Sequence, residues 1–163
     1  MAKARPIRGL APDTRFGDAA AAAVETRARE VFEHADGVLD TGDIERVHDM
    51  RVATRRLRAA LEVFSACFAK KEHGAVLKEV KRLADALGER RDPDVAIASL
   101  ERLASELGAA ERPGVEGLVA ELRADQEAGN QAVARALEKA QAAGLAERLE
   151  ALALTARRDE APA

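Results

Sequence analysis

Apolar side chains recur at three- and four-residue steps along nearly the whole chain. That period matches the turn of an α-helix, and over most of the sequence it is the dominant pattern. Its cleanest stretch is the stripe Val47, Met50, Thr54, Leu57, Leu61, Phe64 and Phe68. Such a stripe covers one face of a helix and commits that face to a core. Composition points the same way. Of the 163 residues, 38 are alanine, and Leu, Glu and Arg are the other dominant types, all strong helix formers. Trp and Tyr are absent and Phe occurs four times. β-Sandwiches and barrels draw on aromatic and β-branched residues, so an all-β fold is excluded. The expected fold is all-α, an antiparallel four-helix-bundle core with additional C-terminal helices, within one domain.

Punctuation by Gly, Pro and capping residues divides the pattern. Residues 1–12 read as a flexible N-terminal arm bearing Pro and Gly. The first helix is expected over about 14–37, ended by Gly37 and the cluster Asp40-Thr41-Gly42-Asp43. Asp43 suits the N-cap of a second helix ending near Lys70–Gly74. A third helix carries Val76, Val80, Leu83 and Leu87, with Gly88 as its C′ residue. Asp92 followed by Pro93 reads as the N-cap and first position of a fourth helix that stops at Gly108. A fifth spans about 115–142, with Gly129 weakening its middle, and Gly144 separates a Leu-rich tail helix at about 145–158. The core then extends over about 14–143.

Several classes of function are excluded or unsupported. No run of about 18 apolar residues is present to span a membrane. The basic N-terminus lacks the apolar stretch of a secretory signal. The single Cys67 has no disulfide partner within the chain, which fits a reducing cytoplasm, and it reads as core filler. No Gly-rich phosphate loop ending in Gly-Lys-Ser/Thr occurs. Glu45-x-x-His48 matches one element of a di-iron bundle, but neither His34 nor His73 supplies the second. No metal, cofactor or catalytic residue is therefore expected. The ridge described next shows no cluster of metal-binding carboxylates of the kind phosphoryl hydrolysis uses, so the chain reads as a non-enzyme.

The formal net charge is −3, but it is unevenly distributed. Residues 46–91 hold twelve basic and six acidic side chains, a local charge of +6 that leaves −9 for the remainder. Within that segment His48, Arg51, Arg55 and Arg58 repeat the spacing of the apolar stripe, displaced by one residue. They line one helix face about 100° from the buried one, with Arg56 on the neighbouring side. Like charges at i,i+4 destabilise a helix by roughly 0.2–0.5 kcal/mol per pair, so a helix built only for stability would interleave carboxylates. Arginine forks suit phosphate oxygens and lysine adds point charge, so the ridge points to a bound polyanion. The competing reading is internal. Glu116, Glu121, Asp125 and Glu127 of the fifth helix would cover the ridge in a purely structural interaction protein. A regulatory subunit of a phosphate-metabolising enzyme is a further alternative.

The run Val47-His48-Asp49-Met50-Arg51-Val52-Ala53-Thr54-Arg55-Arg56-Leu57-Arg58 resembles the signature of the CHAD family, α-helical domains named for their histidines. Downstream, Leu87-Gly88-Glu89-Arg90-Arg91-Asp92-Pro93-Asp94-Val95 resembles that family's Leu-Gly-x-x-Arg-Asp-x-Asp-Val segment. The two occur in family order, joined by a basic helix, and the resemblance is good over roughly residues 14–108. It implies non-catalytic binding of inorganic polyphosphate by a cytoplasmic protein, in association with polyphosphate granules. The binding residues it implies are His48, Arg51, Arg55, Arg56, Arg58, Lys78, Lys81, Arg82 and Arg91. Asp92 and Asp94 read better as capping and helix-dipole residues than as ligands. Without Trp or Tyr for stacking, nucleic acid is not an expected partner. The family usually pairs two similar bundles, and no second His-x-x-Arg-Val-x-x-Arg-Arg occurs in this sequence. The chain thus resembles an N-terminal half, and a homodimer is expected, with Leu145, Leu149 and Leu152 of the tail helix supplying contact.

Overall fold

The computed structural model describes residues 3–158. Five helices run in order: α1 (Phe16–Ala35), α2 (Ile44–Val63), α3 (Lys70–Glu106), α4 (Arg112–Ala142) and α5 (Leu145–Arg158). A single 3-10 turn, Ser65–Cys67, joins α2 to α3. Among the described residues there is no strand. The all-α expectation holds.

The apolar stripes meet where their spacing directs them. Val24 and Val31 of α1, Met50, Leu57 and Leu61 of α2, and Val80, Leu83 and Leu87 of α3 form one buried cluster with Leu145, Leu149 and Leu152 of α5. Val133 and Ala140 close it from α4. Alanine sets the helix spacing. Ala20 and Ala21 of α1 are buried, as are Ala153 and Ala156 of α5. At Gly17 a Cβ would stand 2.2 Å from the Ala156 carbonyl oxygen, so α1 and α5 meet backbone to backbone. The tail leucines are therefore consumed by the chain's own core, and Leu145, Leu149 and Leu152 are not a dimer surface.

Two boundaries differ from the sequence expectation. Helix α2 stops at Val63, because Phe64 to Phe68 turn through the 3-10 segment and still deliver Phe68 to the core. More consequentially, the expected break at Gly88–Asp92 does not occur. Gly88 and Pro93 lie inside α3, which continues for 37 residues. Gly88 lacks the positive φ that a C′ glycine adopts, whereas Gly37 and Gly144 have it. An interior proline costs about 3 kcal/mol, so a neighbour must hold the helix together there. That neighbour is α4. Arg90 and Asp94 form a fully buried ion pair one turn apart across Pro93. The α4 residue Gln126 donates to Asp94 Oδ1 at 2.7 Å, and Arg90 Nε donates to Asn130 Oδ1 at 3.3 Å. Gly129 of α4 is buried against this point, with a Cβ there falling 3.0 Å from Arg90 Cα. Gly129 does not interrupt α4; it lets α4 approach α3. Asp94 is thus a buried pairing residue rather than a helix-start residue.

Beyond this crossing, the C-terminal part of α3 and the N-terminal part of α4 form an arm outside the common cluster, with Val95, Leu103 and Leu118 exposed. At the N-terminus, the Arg5 backbone N–H donates to Glu30 Oε1 at 2.5 Å, and Arg27 donates to both Glu30 oxygens at 2.9 Å. Burial raises the Glu30 pKa, but the Arg5 hydrogen bond and the Arg27 and Arg56 charges outweigh it and hold it below its ordinary value.

Two outcomes follow for stability. Asp94→Ala leaves Arg90 charged and buried without its partner, and urea unfolding should show a loss of about 3–5 kcal/mol. Glu30 has a lowered folded-state pKa, so its contribution is present above 4.5 and fades as pH falls through the folded value. The gap in melting temperature between the wild type and Glu30→Gln should therefore narrow below that pH; a constant gap would contradict this assignment.

Candidate anion-binding site

Helices α2 and α3 are joined by a short turn and lie side by side. Between them runs an open groove of about 480 Å³. Its α2 wall is Arg51, Arg55 and Arg58, and its α3 side is Ala84, Asp85, Gly88, Glu89 and Asp92. The spacing explains both walls. Residues 51, 55 and 58 step by four and three along α2, and 85, 89 and 92 do the same along α3. Continuity of α3 through Pro93 is what brings Asp92 into line with Asp85.

Opposite charges face each other here without closing. Among the described residues, Arg51 and Arg55 form no ion pair, and neither do Asp85, Glu89 and Asp92. The groove holds the two rows beyond ion-pair contact. Arg58 differs, because its Nε donates to Glu62 Oε1 at 3.0 Å, and Lys81 Nζ approaches the same oxygen at 3.4 Å. The Arg58 hydrogen bond, with help from Lys81, holds the Glu62 carboxyl below its usual range. Lys81 thereby joins the arginine row. Lys78 and Arg82 lie nearby on the exposed face of α3, in its N-terminal half. That face is basic from Lys78 to Arg82 and acidic from Asp85 to Asp92.

The remaining sequence candidates divide. His48 is half-buried at the N-terminal end of the row, and its ring, with Glu45 and Asp49, places ligand atoms within 4.8 Å of one another. This is the group of three among the described residues that is able to hold a divalent ion. Arg56 leaves the row. It lies on the α1 side of α2, where its charge acts on Glu30. Arg91 is also engaged internally, donating to the Ile44 carbonyl at 3.0 Å and lying 3.6 Å from Glu45. Both were expected ligands, and the geometry gives them neighbours outside the groove. The acidic residues of α4 do not cover the ridge: no ion pair among the described residues joins Glu116, Glu121, Asp125 or Glu127 to it. The acidic wall comes from α3 instead. Its three- and four-residue spacing was present in the sequence, but an expected helix break at Gly88–Asp92 divided it. Burial raises the Cys67 thiol pKa, which keeps it protonated and unreactive at neutral pH.

Residues 22–163 match the family described as the CHAD domain. The chain belongs to the CHAD family. Its His48-to-Arg58 segment lies within the second helix, and its Leu87-to-Val95 segment carries the buried crossing of α3 with α4. The domain is also similar to an uncharacterized protein, Rv2226, of Mycobacterium tuberculosis, with 43% identity over 51 residues. The match covers 31% of this chain and 10% of that relative, so the chain spans a small part of its length.

Because Arg51 and Arg55 hold no ion partner among the described residues, their removal should leave the fold intact. Circular dichroism and melting of Arg51→Ala/Arg55→Ala should stay close to wild type, within about 0.5 kcal/mol per site. Arg91→Ala, which loses a contact to the start of α2, should melt earlier.

Proposed function

We propose that this CHAD domain binds inorganic polyphosphate through the α2 arginine row, without catalysing its turnover. The observation that carries the reading is the pairing state of the row. Three guanidinium groups line one open groove, and two of them have no ion partner among the described residues. Such an arrangement stores like-charge repulsion that an incoming chain of phosphates relieves. Family membership is consistent with polyphosphate binding.

The ligand row is Arg51, Arg55 and Arg58, continued by Lys81, Lys78 and Arg82, with His48 at its other end. The wall of Asp85, Glu89 and Asp92 repels a polyanion and keeps it on the arginine side, which favours a narrow linear chain over a duplex. No described helix is long and apolar enough to cross a membrane. The reading implies a protein of cytoplasmic polyphosphate granules. Self-association belongs to the same reading, with the exposed Val95, Leu103 and Leu118 of the α3–α4 arm as its surface in place of the buried tail. Sedimentation at high micromolar concentration should show dimers; monomers alone would remove that part.

Pulldown with long-chain polyphosphate, competed by equal phosphate equivalents of duplex DNA, tests the assignment. Polyphosphate should be retained, and preference for DNA would refute it. Affinity should fall linearly with salt on logarithmic axes, through counterion release. Replacing Arg51, Arg55 and Arg58 by Ala should weaken binding and lower that slope by about three, one for each lost cation. Replacing Asp85, Glu89 and Asp92 by Asn, Gln and Asn should tighten binding several-fold at low salt and relax discrimination against DNA.

A further inference from the structure

A second set of cations without ion partners lies on the other side of α3. A pocket of about 440 Å³ between α3 and α4 is lined by Glu79, Arg82, Arg135 and Lys139 over a floor of alanines from α4. Arg135 and Lys139 stand one turn apart on α4, a like-charge pair that destabilises the helix unless an anion meets it. Among the described residues, neither they nor Arg82 form an ion pair. The one acid in the lining is half engaged: Arg148 Nη1 holds Glu79 Oε1 at 2.6 Å, while Oε2 is buried without a hydrogen-bond partner. The pocket therefore brings three cations without ion partners among the described residues to one side of the Glu79–Arg148 pair, around small, apolar side chains, a setting that suits a phosphate group rather than a hydrophobic ligand.

Helical spacing connects this pocket to the α2–α3 groove. Around α3, Lys81 faces α2, Lys78 faces outward and Arg82 faces α4, within little more than one turn. Arg58 and Lys81, which share Glu62, thus lead through Lys78 to Arg82, Arg135 and Lys139 in a band of cations around α3. The acidic residues Asp85, Glu89 and Asp92 occupy the same face further along α3 and border that band. A polyanion leaving the arginine row finds cations toward α4 and carboxylates along α3.

We propose that Arg82, Arg135 and Lys139 form a second phosphate-binding site, and that one long polyphosphate chain spans α3 to occupy it together with the arginine row. The proposal rests on the reading of the groove as a polyphosphate site and extends it to α4, which the sequence motifs do not reach. It makes chain length a determinant of affinity, since a short chain fills one site and a long one fills both.

The test uses the full-length protein, tripolyphosphate and long-chain polyphosphate, and a salt titration. Arg135→Ala/Lys139→Ala should weaken long-chain binding several-fold and lower its salt slope by about two, with the melting temperature unchanged. Arg135→Lys/Lys139→Arg, which keeps both charges, should restore it. A charge-matched control, Arg8→Ala/Arg102→Ala, lies outside the band and should have a much smaller effect. The wild type should also bind long chains more tightly than tripolyphosphate per molecule, by a margin that shrinks in the α4 variant. Unchanged long-chain affinity and slope in the α4 variant, or an equal loss in the control, would overturn the second site while leaving the groove standing. Failure of the unsubstituted protein to bind either probe would overturn the groove reading, and the second site with it.

Discussion

The buried ion pair of Arg90 with Asp94, seated where Gly129 brings α4 against α3, is the constraint on which the architecture turns. It spans the one place where local signals favour a break. Holding α3 helical through Pro93 makes a single 37-residue rod, and that rod carries three surfaces at once. One face joins the common core through Val80, Leu83 and Leu87. A second forms the far wall of the α2–α3 groove. A third meets α4 and opens the pocket at Arg82. A hinge at Gly88 would uncouple the basic and acidic halves of α3, and the groove would lose its continuous far wall.

Charge in this molecule is organised by helix register rather than by sum. The net −3 conceals an arginine row on α2, a basic half and an acidic half on α3, and an acidic remainder partly tied up in internal pairs. Arg148 with Glu79 and Arg157 with Glu25 tie α5 to α3 and to α1, and Arg27 with Glu30 pairs within α1. Arg51 and Arg55 are left out of that scheme, as are Arg82, Arg135 and Lys139. Cations without ion partners among the described residues contribute little to folding, and their grouping in two hollows, one on each side of α3, is the physical basis for proposing a polyanion there. The acidic half of α3 complements this by making one direction along the surface unfavourable.

Much of this was visible in residue spacing alone. The apolar stripe of α2, the placement of Arg51, Arg55 and Arg58 beside it, and the α4–α5 boundary at Gly144 all follow from local periodicity, and local periodicity decided them. What failed was local in the opposite sense. Gly88, Asp92 and Pro93 carry helix-end chemistry, and tertiary contact with α4 overrode it, because a pair formed by Arg90 and Asp94 cannot be told from two exposed charges without knowing what α4 covers. The acidic wall was lost with that break. Arg56 and Arg91 sit within recognisable motifs, but their roles depend on α1 and on the start of α2, which motif spacing does not encode. Leu145, Leu149 and Leu152 were correctly read as an apolar face, but a stripe does not say which surface it meets, and α1 to α3 took it.

Arginine side-chain NMR resolves the question at the level of single residues. With the Nε–H resonances assigned, long-chain polyphosphate is titrated into the full-length protein at low salt. The account predicts that Arg51, Arg55 and Arg58 shift first and furthest, while Arg90, locked against Asp94, stays in place. Shifts spread evenly over the exposed arginines, or confined to residues outside the groove, would contradict it.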